Sequence, residues 1–272
     1  MNTRRTLSRS IQPARLLLGF VAALVAGWML LPTLVIIPLS FSSSHASFQF
    51  PPPGWSLDLY RNLASPVWFN ATMNSLRIAA VVMCISTVVG TAAALALDRS
   101  KFRAKGGITA LLFAPMIIPT AVVGIGVYAT FLEWNLTGTY LGFIMAHCVV
   151  AMPMVLVAVT SSLRVYDRNQ ESAAASLGAG PVKTFFQVTL PQIRAGVATG
   201  AVLAFIESFG EVVISLFLAS PRLQTLPVLM FISMRREVDT TVAAAATVIL
   251  VAAVVVIPFI ALLQTRNHHV QS

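Results

Sequence analysis

Charge is what this sequence has least of. Only 10% of its 272 residues are Asp, Glu, Lys or Arg, against 57% hydrophobic, whereas soluble domains carry about 25% charge. That balance excludes an ordinary soluble globular domain. Cysteine is nearly as scarce. Cys84 and Cys148 both lie in apolar runs without metal-ligand spacing, which leaves them as small hydrophobic side chains. No G-x-x-x-x-G-K-[ST] phosphate loop occurs, so the chain is not expected to hydrolyse ATP itself. No G-x-S-x-G elbow supports a membrane hydrolase. No internal repeat emerges either, which weakens an inverted-repeat secondary transporter.

What is present is a series of uncharged runs. Leu16–Leu57, Ile78–Leu97, Gly106–Leu132, Trp134–Leu163 and Thr240–Thr265 contain no Asp, Glu, Lys or Arg, and the run from Ala195 to Ser220 is interrupted only by Glu207 and Glu211. Each is long enough for a bilayer-spanning helix of about 20 residues. The sequence therefore predicts an all-α integral membrane protein with six transmembrane helices. A net charge of +9 could point to nucleic acid, but its placement argues otherwise. With the N-terminus inside, thirteen basic residues fall on the cytoplasmic side and four (Arg61, Arg222, Arg235, Arg236) outside, with Arg77 near a boundary. The basic residues set orientation. No nucleic-acid partner is expected.

Residues 1–15 read as a basic cytoplasmic tail, 16–265 as one transmembrane domain and 266–272 as a second short tail. A cleaved signal peptide would begin the same way, but the apolar run is too long for a signal core, and a retained anchor is expected. Pro51-Pro52-Pro53-Gly54 makes a stiff turn in the first external connection. Trp55, Leu57, Leu59 and Tyr60, mixed with Asp58 and Arg61, read as a short amphipathic helix at the interface. The third span carries Pro115, Pro119, Gly124 and Gly126, which permit kinks or close helix packing. His147, alone in the fourth span, is expected to be packed and hydrogen-bonded. Ser220-Pro221 opens a last external loop reaching Asp239.

One polar interruption organises the chain: Asp167 to Gln192. Asp167 can cap a short helix over Glu171, Ser172, Ala173, Ala174, Ala175, Ser176 and Leu177. Gly178 then supplies a left-handed residue that stops it. Pro181 suits the first turn of a second helix, whose apolar face is Val182, Phe185, Phe186 and Thr189. Pro191 blocks easy continuation. The pattern predicts a helix–glycine–helix elbow at a membrane surface.

This stretch resembles the "EAA" loop of permease subunits in ATP-binding-cassette (ABC) importers. Ala173 and Ala174 take the alanine places, Gly178 the glycine, and Val188-Thr189-Leu190-Pro191 the closing Ile-x-Leu-Pro. Ser172 stands where the family has Glu, with Glu171 one position earlier, and Val188 replaces Ile. Within that family the chain looks most like the spermidine/putrescine branch, on Glu207-Ser208-Phe209-Gly210-Glu211-Val212-Val213-Ile214-Ser215, Leu226-Pro227 and Thr241-Val242-Ala243-Ala244.

The resemblance implies a type I ABC importer permease in a bacterial inner membrane. It implies a second permease subunit forming a heterodimer with this one, cytoplasmic ATPase subunits, and an external solute-binding protein. It implies no cofactor, metal or catalytic residue. Glu171, Ser172, Ala173, Ala174, Ala175, Leu177, Gly178, Leu190 and Pro191 become the candidates for coupling to the ATPase. Separately, Glu207 and Glu211 at i, i+4 should share one helix face. Charge at membrane depth is costly, so they pair with neighbours or line a pathway for a cationic solute such as a polyamine. An ABC importer permease for another small solute is the alternative within the family, and a channel or secondary transporter using the same glutamates is the competing reading from another class.

Overall fold

The computed structural model describes residues 4–45, 47–100, 103–236 and 239–268, with side chains undescribed at 4–15, 236 and 256–268. Lys101 and Phe102, in the basic stretch Asp98–Lys105 between the second and third expected spans, and residues 1–3 and 269–272 of the two expected tails, lie outside the described residues. In chain order the helices are α1 (Arg4–Leu39), α2 (Asp58–Leu63), α3 (Pro66–Arg99), α4 (Lys105–Ile117), α5 (Thr120–Glu133) and α6 (Tyr140–Val165). Then come α7 (Asn169–Ser176), α8 (Pro181–Thr184), a π-helical turn (Phe185–Thr189), α9 (Leu190–Gly210), α10 (Val213–Leu218), α11 (Leu226–Arg236) and α12 (Thr241–His268). Among the described residues there is no β-strand, only two isolated bridges.

Among the described residues, four helical stretches are long and apolar enough to cross a membrane: Leu16–Leu39, Pro66–Arg99, Tyr140–Val165 and the run Pro181–Gly210. A bent pair, α4 and α5, makes up to five. The six spans expected from the sequence are therefore not all reached on these criteria. α12 is helical over 28 residues, with a shorter apolar stretch at Thr241–Val255.

The third expected span is not one helix. α4 and α5 meet at 104°, and the turn falls at Ile118-Pro119. Pro119 disfavours a helical conformation at the residue before it, and Ile118 is extended, at φ −75° and ψ 132°. The last expected external loop also differs, because α11 occupies most of it. The proposed interfacial helix begins later than its apolar residues suggested: Trp55 and Leu57 precede α2 and are exposed, while Leu59 inside it is fully buried.

Contacts divide the chain into two units, 66–232 and 1–65 with 233–272. The first is built on α3, α6 and α9. Gly90 of α3 and Gly200 of α9 both press against Val155 of α6, where a Cβ on either glycine would lie 2.9 Å or 3.1 Å from it. Glycine at these places lets the backbones approach as closely as membrane helices commonly do. Ile78, Val82, Phe143, Val155, Leu156, Val159, Ile193 and Ala204 fill the centre. α10 packs on α5, where Gly124 leaves room for the Phe217 ring.

The second unit joins α1, α2 and α12. Ser40 Oγ donates to the Ile37 carbonyl at 2.6 Å and pairs with the Tyr60 hydroxyl at 2.7 Å. Asn62 Nδ2 donates to Thr241 Oγ1, and Thr240 Oγ1 to the Ser44 carbonyl, both at 2.7 Å. These bonds satisfy polar groups at the ends of helices that are otherwise apolar.

Candidate functional site

The elbow forms as the local sequence dictates. Asp167 Oδ1 accepts the Asn169 N–H at 3.0 Å, just before the helix, so one of the unpaired donors at the N-terminus of α7 is met. At the other end Gly178 stands at φ +82°. The Gly178 N–H donates to the Ala175 carbonyl at 2.9 Å and the Ala179 N–H to the Ala174 carbonyl at 3.0 Å. That pair of bonds is a Schellman motif, which needs the left-handed residue at this place. Pro181 then opens α8, after Gly180.

The second helix does not stop at Pro191. The helical run continues from Pro181 to Gly210 over 30 residues. The π-helical turn explains how: the Leu190 N–H donates back to Phe185, one residue beyond the α-helical partner. Proline has no N–H to give and crowds the preceding turn, and a single wide turn directly before it absorbs the mismatch. The expected apolar face is also split. Thr189 is fully buried, while Val182 and Phe186 are largely exposed.

α7 has two distinct faces. Its outer side presents Ser172, Ala173, Ala175, Ser176 and Leu177 to solvent, with Leu177 89% exposed. Its inner side is tied down by polar contacts that the sequence reading did not foresee. Arg99 Nη2, at the end of α3, donates to Glu171 Oε1 at 2.6 Å. Thr189 Oγ1 donates to the same oxygen at 2.7 Å. Arg168 holds both the backbone carbonyl and the carboxylate of Asp98. Gln192 Nε2 donates to Gln170 Oε1 at 3.0 Å. Tyr166 stands beside Thr189. Burial raises the phenol's pKa, the Thr189 hydrogen bond opposes this, and the Glu171 carboxylate adds to the rise.

Of the coupling candidates, then, Glu171 points into the chain, while Leu177 and the exposed Ala173 and Ala175 point away from it. Ala174 and Leu190 are half-buried, and Pro191 is exposed. A signal for the clamp was present: Asp98-Arg99 and Arg168 with Glu171 carry opposite charges in complementary order.

The two glutamates do not share a helix face. α9 ends at Gly210, and Glu211 is extended at φ −70° and ψ 113°. Its carboxylate accepts the Ile214 N–H at 2.8 Å, at the start of α10, and the residue is only 8% exposed. Glycine costs about 1 kcal/mol in a helix relative to alanine, and a carboxylate meeting a free N–H favours a new helical start. Together these outweigh helix continuation. Glu207 stays on α9 and is half-exposed.

His147 spans the same break. Its Nδ1 lies 2.9 Å from Ser208 Oγ on α9 and its Nε2 2.9 Å from Ser215 Oγ on α10. The ring is fully buried against Phe143. The expected packed, hydrogen-bonded histidine is what the fold contains.

A multi-pass helical protein with a clamped polar elbow and a broken helix carrying glutamates is the class these features define. Residues 86–268 match the family described as the binding-protein-dependent transport system inner membrane component, and the chain belongs to that family. It is 35% identical over 235 residues to the putrescine transport system permease protein PotI of Escherichia coli strain K12, covering 84% of this chain and 81% of the relative. It is 31% identical over 217 residues to the spermidine/putrescine transport system permease protein PotC of the same strain, covering 78% and 80%. The fold is similar to a crystal structure of a bacterial ABC transporter involved in import of the acidic polysaccharide alginate. That match has a TM-score of 0.69 at 15% identity and covers 93% of this chain and 96% of the other. The chain is an ABC transporter permease of the bacterial inner membrane, similar to polyamine permeases.

Proposed function

We propose that this chain is one of two permease subunits of an ATP-driven, binding-protein-dependent importer for a polyamine such as putrescine or spermidine. The observation that carries the coupling part is the two-faced α7. Its outer side offers small residues and an exposed Leu177, while its inner side is fastened to α3 and α9. Small side chains allow a groove on a partner to come close, and a fastened helix can pass on a displacement that a slack loop would absorb. In this reading the elbow faces the cytoplasm, the partner is an ABC-type ATPase, and α12 completes a sixth span. A 28-residue helix is about 42 Å long, enough to cross.

For the solute, the relatives named for putrescine and spermidine support a polyamine. In this reading Glu207 is the residue that meets it, because the Glu211 carboxylate already accepts the Ile214 N–H. A half-exposed carboxylate on a spanning helix attracts an ammonium group and remains open enough to release it. The test is ATP-dependent uptake of radiolabelled putrescine into vesicles holding the complete transporter, competed by unlabelled spermidine. Glu207→Gln is expected to raise the half-saturating concentration about tenfold, equivalent to about 1.4 kcal/mol, at equal membrane levels. Normal affinity in that variant would remove Glu207 from the pathway, and absence of any ATP-dependent putrescine uptake would remove the polyamine assignment.

A further inference from the structure

Three residues, Tyr166, Asp167 and Arg168, join α7 covalently to α6, no covalent link joins it directly to α3, and toward α9 the chain runs through a stretch that is poor at transmitting force. Gly178 has positive φ and nothing within 4 Å of the place a Cβ would take. Residues 180–183 around the start of α8 are all exposed. The noncovalent route is better built. One oxygen, Glu171 Oε1, receives two donors from two different elements: Arg99 from α3 and Thr189 from the π-helical turn. Thr189 is fully buried at this junction. Arg168 takes hold of the neighbouring Asp98 through both its backbone and its side chain. α3 and α9 in turn both rest on α6 through Gly90 and Gly200.

Resting on the coupling role proposed for the elbow, we infer that Arg99 and Thr189 are positioning residues which, through Glu171, deliver the movement of α7 to the end of α3 and the start of α9 together. Glu171 then serves the chain's own clamp and is not the residue that reaches the ATPase. Contact with the ATPase falls to the outer side around Leu177. A ligand-driven shift is transmitted only where contacts differ between states, and the clamp makes α3 share the displacement that the glycine hinge would otherwise dissipate.

Spin labels at Ser100 and Ser176, in a background with Cys84→Ser and Cys148→Ala, report the distance between the end of α3 and α7. The measurement is made on the complete transporter, nucleotide-free and trapped with ATP and vanadate. The original clamp is expected to give one narrow distance in both states. Arg99→Ala and Thr189→Val are expected to at least double the width of the distribution, and to let it shift between states, while the ATPase still co-purifies. The charge swap Arg99→Glu with Glu171→Arg is expected to restore the narrow distance, a recovery that a merely structural loss would not show. A narrow, unshifted distance in both single variants with the ATPase bound would overturn the clamp alone. Loss of the ATPase in Glu171→Gln but not in Arg99→Ala would also overturn it, by placing Glu171 in the contact. Failure of any ATPase to bind the unmodified elbow would instead sink the coupling reading itself.

Discussion

Two residues at the break, Gly210 and Glu211, and one at the elbow, Gly178, do work that their neighbours cannot share. Gly178 needs positive φ but has free space around it, so a substitution there is judged by backbone conformation alone. A β-branched side chain is a genuine outlier in that region, whereas Asn visits it several-fold more often than most residues. Gly178→Val is expected to cost about 1–2 kcal/mol of local stability and to weaken ATP-coupled uptake with membrane insertion retained. Gly178→Asn should keep most of the activity. Vesicle uptake and membrane levels of the two variants side by side check this, and equal uptake in both would show that the left-handed turn is dispensable.

Glu211 calls for a different comparison. Its carboxylate meets the Ile214 N–H, and removing a side-chain cap typically costs about 1 kcal/mol. Glu211→Ala should therefore lower the thermal stability of the purified subunit, whereas Glu211→Gln, which keeps an acceptor oxygen, should lower it less. Glu207→Gln should leave stability close to unchanged. The reverse order would place the pathway role on Glu211.

At the scale of elements, the α3–α6–α9 trio depends on close backbone approach. A Cβ on Gly196 of α9 would sit 2.1 Å from Ser162 Oγ and 2.8 Å from the Ala158 carbonyl oxygen of α6. The serine can rotate, but the backbone oxygen cannot, so Gly196→Val is expected to destabilise the subunit by about 1–3 kcal/mol, the range for overpacking. A thermal-shift measurement in detergent reads this directly. An unchanged midpoint would mean that α6 and α9 are more loosely packed than the contacts imply. By contrast the exposed part of the elbow clamp adds little to stability, since pairs such as Arg99–Glu171, with side chains 45% and 23% exposed, contribute about 0–1 kcal/mol. Its value lies in orientation.

The same elements show what the sequence could and could not reveal. Gly178, Pro181 and the alanines announce the elbow because turn and cap preferences are local, acting over a few residues. The Arg99–Glu171 contact joins positions 72 apart, and only the folded helices bring them together. Glu207 and Glu211 misled because an i, i+4 pair looks helical until something competes with the helix. Here that competitor is Gly210 followed by a carboxylate finding an N–H three residues ahead. The 104° turn between α4 and α5 was half legible. Pro119 marked a bend, but the packing of α5 on α10 joins parts of the chain too far apart for local preferences to reveal.

For the whole molecule, the lopsided distribution of basic residues fixes an expected orientation, with thirteen of 18 Lys and Arg on the elbow's side of the membrane. Single-cysteine labelling in intact cells is expected to leave Ser176→Cys unreactive to an impermeant reagent until the membrane is opened, and labelling from outside would reverse the orientation. The central claim is that this membrane subunit is driven by a separate ATPase seated on the outer face of α7. It is tested most directly by purifying the tagged chain from its native membrane and measuring the amount of bound ATPase per permease. An ATPase should come down in a fixed ratio with the unmodified chain and be lost from Leu177→Asp, which places a charge at the exposed tip without disturbing the clamp on the inner side of α7. Equal recovery from both proteins would contradict that seat, and a chain that purifies with no ATPase yet still transports solute would contradict ATP coupling altogether.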